Sequence, residues 1–142
     1  MVESLKVGTE VTPIVKNISQ DKINLFEGVG IHGQRSNIHT DSDAAKRTIG
    51  LTTPIASGRV QLSFVTAAQR RFFGGEVFDR TGAIDLRFVR PVIDGDTITV
   101  KGTVVSLDDT ADGQAVAVDV WCENQNGERT SIGTATAVVP KK

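Results

Sequence analysis

GRVQLSFVTAAQRRFF, residues 58–73, is the stretch on which the fold turns. Val60, Phe64, Ala67 and Ala68 recur on one helical face, and Leu62 and Val65 widen it, so the spacing predicts a well-buried helix. Arg70 and Arg71 stand near its C-terminal end, where cations suit the helix dipole. Downstream the period changes from 3.6 to two. Ile84, Leu86 and Phe88 form one row against Asp85 and Arg87; Ile98, Val100 and Val104 form a second. Val116, Val118, Val120 and Cys122 form a third, and Ile132, Thr134, Thr136 and Val138 a fourth. Turn residues separate the later rows at 94–96 (DGD), 108–113 (DDTADG) and 124–127 (NQNG). One buried helix followed by a long, curled antiparallel sheet is an α+β arrangement. Gly133, Ala135 and Ala137, opposite the fourth row, would let a helix lie close to that sheet.

Upstream of residue 58 the chain reads as helix and loop. Residues 9–17 (TEVTPIVKN) suit an edge strand weakened by Pro13. Ser19 is the expected N-cap of a helix over 20–29, with Ile18 and Ile23 at staple spacing, and Gly28, Gly30 and Gly33 open a loop after it. A short helix over 41–48 follows, capped by Thr40 or Asp41, with Gly50 beyond its end. No repeat or low-complexity tract interrupts the chain, and 142 residues suit one domain, 1–142.

Sixteen basic against seventeen acidic side chains leave a net charge of −1, which argues against nucleic acid and membrane surfaces as partners. No apolar run is long enough to span a bilayer, and MVESLKVGTE carries no apolar leader core, so a cytoplasmic protein is the expectation. Cys122 is the single cysteine, which excludes an internal disulfide and a thiolate-built zinc site; no metal is expected. With no tyrosine and only His32 and His39, few groups besides the carboxylates can move protons near neutral pH.

Chemistry therefore concentrates in IHGQRSNIHTDSDAAKRTIGLTTPIASG, residues 31–58. His39 stands just before the short helix and Gly58 at the start of the long one. Free N–H groups and the helix dipole at that start favour an oxygen gaining negative charge. A histidine beside such a start is a workable site for proton transfer next to a polarised carbonyl.

HTDSDAAK (39–46), PIASG (54–58) and LRFVRPVIDGDTITVKGTV (86–104) together resemble the MaoC-like hot-dog dehydratases, also called R-specific enoyl-CoA hydratases. The resemblance runs from about residue 5 to 139 and implies a hot-dog domain, a curled antiparallel sheet wrapped around one long helix. It places the family's catalytic histidine on His39 and the glycine whose N–H polarises the thioester carbonyl on Gly58. Gly33, Asp41 and Ala44 match further motif positions. The motif's Asn-Pro is replaced by Ser36-Asn37, and its catalytic aspartate falls on Gln34. An amide can orient a water or a carbonyl but accepts no proton at neutral pH.

The resemblance implies an acyl-thioester lyase of the enoyl-CoA hydratase or 3-hydroxyacyl-CoA dehydratase type. No cofactor is implied beyond CoA or acyl carrier protein as part of the substrate. His39 would be acid and base, Gly58 N–H the oxyanion donor, and Gln34 a positioning group. The candidate substrate contacts are Arg35, Ser57, Arg59 and His32; a surface arginine, a helix cap, a solvated arginine and a solvated loop histidine are the respective alternatives. Asp41 reads most simply as a cap. Arg70, Arg71, Arg87 and Arg90 are available for CoA phosphates, Cys122 reads as inert core, and Trp121 as an interface aromatic. The resemblance further implies a homodimer or dimer of dimers. Two other readings remain open: a non-catalytic hot-dog subunit serving an active partner, and an enzyme with altered chemistry, such as a double-bond isomerase, another lyase or a thioesterase.

Overall fold

The period-two rows become strands whose apolar members face one helix. The computed structural model describes residues 4–28 and 37–141. In chain order these form β1 (Ile14–Asn17), α1 (Gln20–Phe26), α2 (Ser42–Ile49), α3 (Gly58–Phe73), α4 (Gly75–Thr81), β2 (Ala83–Phe88), β3 (Thr97–Thr110), β4 (Gly113–Glu123) and β5 (Arg129–Pro140). The strands make one antiparallel sheet in the order β1-β3-β4-β5-β2, so β1 and β2 are its edges. Ile98, Val100 and Val104 of β3 and Val116, Val118, Val120 and Cys122 of β4 are buried against Val60, Val65, Ala68 and Phe73 of α3 in one core. Ala135 and Ala137 of β5 face inward, so the small residues do lie under the helices, with α4 seated on this strand. Burial pushes the Cys122 thiol up to about 11, so it stays protonated and apolar, as a strand-core position requires.

Local signals account for most element ends. Ser19 Oγ accepts from Lys22 N–H at 3.2 Å, capping α1, which ends at Phe26. Asp41, not Thr40, caps α2: its Oδ1 accepts from Asp43 and Ala44 N–H at 2.8 and 3.2 Å. Gly50 closes α2 in the left-handed conformation, φ 72°. The first strand is shorter than expected. Pro13 has no N–H to give the ladder, so only Ile14–Asn17 pair continuously, and Glu10 makes an isolated bridge to Thr103.

Two differences from the sequence expectation matter. First, α4 fills 75–81, where no element is expected; its seven residues are too few for a readable period, and Phe78, stacked on Phe73 at 6.1 Å, is its single buried side chain. Second, the buried face of α3 is rotated. Leu62 lies at the surface, whereas Gln61 and Gln69 are buried beside Val65.

Gln69 is fully buried, and neither end of its amide has a partner among the described residues. Such a group costs about 1–3 kcal/mol. Gln69→Met, similar in length but with no amide, should therefore raise the urea unfolding free energy by about that amount and move the midpoint to higher urea. A lower midpoint would show that the amide is satisfied in solution.

Candidate functional site

The short extended segment Ile55–Ala56 ties three parts of the chain together. Ile55 N–H donates to the Ile38 carbonyl at 3.0 Å, and Ala56 N–H to the Val92 carbonyl at 2.7 Å. Ile55 also bridges Ile93. Pro54, buried just before it, biases its predecessor away from helix and so separates this segment from α2.

His39 is held on three sides. Its backbone N–H donates to Asn37 Oδ1 at 2.8 Å, and its carbonyl accepts from Gln20 Nε2 at 2.9 Å. Its ring Nδ1 lies 2.8 Å from the Ile55 carbonyl. A carbonyl only accepts, so Nδ1 carries the proton of the neutral ring. Nε2 is left as the basic atom.

Gly58 opens α3. Its N-cap, Ser57, is extended and gives no side-chain hydrogen bond to the first turn, so the helix start is not closed by a cap. A Cβ at position 58 would run into the Phe88 ring. Glycine thus permits the end of β2 to pass directly over the helix start. His39, Gly58, Ile55, Ala56, Gln61 and the run Phe88–Val92 line an open cavity of about 380 Å³. His39 and an uncapped helix start therefore line one mostly apolar cavity, where a hydrogen bond to a developing charge is stronger than in water.

The other sequence candidates fall elsewhere. Ser57 is buried with its hydroxyl unpartnered among the described residues, but it is not part of the cavity wall. Arg59 points outward, with Nη2 3.8 Å from Oε2 of the buried Glu27, and is also outside the wall. Gln34, Arg35, His32 and Gly33 lie outside the described residues. Among the four arginines, Arg90 lines the cavity and pairs with Glu128 at 3.1 Å; the Asn124 amide, then Arg90, hold the Glu128 carboxyl below its ordinary range. Arg70 pairs with Asp79 at 3.0 Å, about 18 Å along the helix from Gly58, and Arg71 is exposed beside it.

Arg87 belongs to a different hollow, about 490 Å³, on the outer face of the sheet with Asp85, Asp119 and Trp121. There the Arg129 guanidinium sits 4.7 Å from the Trp121 ring, and Trp121 Nε1 donates to Glu123. This hollow is the larger, but it holds neither a histidine nor a helix start, so it offers no equivalent proton-transfer group.

Gln61 and Phe88 are the wall residues that sequence reasoning missed. A glutamine amid the apolar residues of a buried helix was the available signal for the first. For the second it was the FVRPV run, which leaves β2 and carries Phe88 over Gly58.

Comparison with known proteins agrees with this fold. The family described as "MaoC like domain" matches residues 4–126. An R-hydratase of Pseudomonas aeruginosa, unliganded, is 26% identical, with TM-score 0.75 over 97% of this chain and 84% of that one. A monoamine oxidase regulatory protein from Archaeoglobus is 26% identical, with TM-score 0.81 over 99% and 94% of the two chains. The fold is shared with a chain of the 3R-hydroxyacyl-ACP dehydratase complex of Mycobacterium tuberculosis, 16% identical, TM-score 0.69, covering 96% and 98%. No curated protein matches the sequence. The α+β architecture is thus the hot-dog fold, shared with an R-hydratase and with a chain of a dehydratase complex. Among the described residues, no helix is long and apolar enough to cross a membrane.

The ring bond to Ile55 makes a direct demand on spectroscopy. In alkaline buffer, nitrogen NMR of labelled protein should show His39 protonated at Nδ1 and bare at Nε2. The opposite tautomer would contradict the Ile55 contact.

Proposed function

The chain belongs to the MaoC-like domain family, and from that membership and the shared cavity we propose an acyl-thioester lyase of the enoyl-CoA hydratase or 3-hydroxyacyl-CoA dehydratase type. The observation that carries the reading is that the His39 ring and the Gly58 helix start line one cavity. In the hydration direction, His39 Nε2 takes a proton from water as its oxygen bonds to the β-carbon. The double-bond electrons move toward the thioester carbonyl, whose oxygen gains charge against the Gly58 N–H. The Ile55 carbonyl, already bonded to Nδ1–H, stabilises the imidazolium so formed. Return of the proton to the α-carbon completes a 3-hydroxyacyl thioester; dehydration is the reverse. Gln34, at the position of the family's aspartate, would orient the water or the carbonyl.

The substrate carrier would be CoA or acyl carrier protein, and Arg90, which lines the cavity, would be the arginine to meet its phosphates. Edge strand β2 ends at Phe88, so a second hot-dog chain paired along β2 would build next to the cavity. We take that chain to be a second copy, in a homodimer or dimer of dimers. The glutamine at position 34 favours a second reading, in which this chain serves an active hot-dog partner. With one histidine and no carboxylate at that position, double-bond isomerisation is a third, since it needs no activated water.

Purified protein incubated with crotonyl-CoA separates these readings. Hydration by the protein alone, reduced about 10²–10⁴-fold in His39→Ala, is the expected result. Hydration unchanged in His39→Ala would overturn the assignment. Activity only with a second hot-dog chain would replace it with the subunit reading.

A further inference from the structure

Gln61 stands one turn into α3 from Gly58 and is only 3% exposed. Its Oε1 accepts from Thr130 Oγ1 at 2.8 Å. Thr130, fully buried, is fixed in turn: its carbonyl accepts from Val89 and Arg90 N–H at 3.0 and 3.2 Å. The amide is thus pinned at its oxygen to the same frame that carries the opposite cavity wall. With Oε1 committed, the two N–H donors of Nε2 remain, and no partner for them is present among the described residues. Gln69 is placed differently. There both amide atoms are sealed in the core, whereas Gln61 borders the cavity of His39 and Gly58. The rest of that wall is largely apolar: Ile55, Ala56, Phe88, Val89 and Val92. An alkyl chain pressed on Gln61 would strip water from both N–H groups and return nothing, a loss worth about tenfold to a hundredfold in affinity. An oxygen acceptor there would satisfy them.

We propose that Gln61 is a substrate-binding residue whose side-chain N–H donates to an oxygen of the acyl group, an inference that rests on the acyl-thioester reading above. Two oxygens have the required chemistry: the thioester carbonyl, shared with Gly58 N–H, and a hydroxyl or keto oxygen on the chain beyond it. A purely alkyl chain lying against Gln61 is disfavoured.

Binding, which needs no turnover, provides the test. The Gln61 side-chain amide signals are assigned in nitrogen-labelled protein by their loss in Gln61→Met. Butyryl-CoA, whose acyl group carries only the thioester oxygen, and 3-hydroxybutyryl-CoA are then titrated while the His39 ring is followed as well. A Gln61 shift with both ligands identifies the carbonyl; a shift with the hydroxylated ligand alone identifies the chain oxygen. In either case Gln61→Met, which also removes the acceptor of the Thr130 hydroxyl and so melts lower, should weaken that ligand about tenfold or more at a temperature where the variant is fully folded. If both ligands move His39 but leave the Gln61 amide unmoved, or bind Gln61→Met equally well, the inference is overturned while the site reading stands. If neither ligand moves His39 or Gln61, the acyl-thioester reading itself fails and this inference falls with it.

Discussion

The backbone of Ile55 is the joint on which the site depends. Its N–H reaches Ile38, its carbonyl reaches the His39 ring, and it bridges Ile93, while the next residue bonds Val92. Two residues further on, α3 begins. The loop that carries the histidine, the helix start that carries the N–H donor and the connection that supplies the cavity wall are therefore registered through one short extended segment. Because these are main-chain bonds, they impose geometry without dictating the side chain at position 55. They also set the histidine tautomer, which decides the nitrogen left to do chemistry.

That joint explains what was legible in the sequence and what was not. The rows of β3 and β4 alternate cleanly because one face is buried, so the strands can be read directly. His39 and Gly58 were legible because each stands at a helix boundary marked by its own signals, Asp41 and Gly50 on one side, Pro54 and Ser57 on the other. The cavity itself was not. Phe88 reaches Gly58 from thirty positions downstream, and its half-exposed ring departs from the row formed by Ile84 and Leu86. Gln61 was obscured differently. Its partner Thr130 lies 69 positions downstream, and local periodicity treats a glutamine as a surface residue. The same rule made Leu62 look buried when packing turned that position outward. The helix α4 escaped because a seven-residue element held by Phe78 and flanked by glycines presents no period to read.

The chemistry left to this chain is economical. Cys122 is buried and its thiol is driven up to about 11, so it supplies no nucleophile near neutral pH. Asp41 is occupied as a helix cap, with its Oδ1 on two backbone N–H groups. The cavity is left with an imidazole, a helix start, an amide and Arg90, itself paired with Glu128, in largely apolar surroundings. Such a set can hold a carbonyl and move one proton. The proposed hydratase-type reading asks for little more, and under it the glutamine at position 34 would leave His39 as principal acid and base.

The most direct test follows atoms rather than rates. Crotonyl-CoA is incubated with the protein in water enriched in heavy oxygen and deuterium, and the acyl product is weighed by mass spectrometry. The account predicts one heavy oxygen and one carbon-bound deuteron per product molecule, as a 3-hydroxyacyl thioester. Deuterium uptake without oxygen, or release of free CoA with labelled carboxylate, would contradict it.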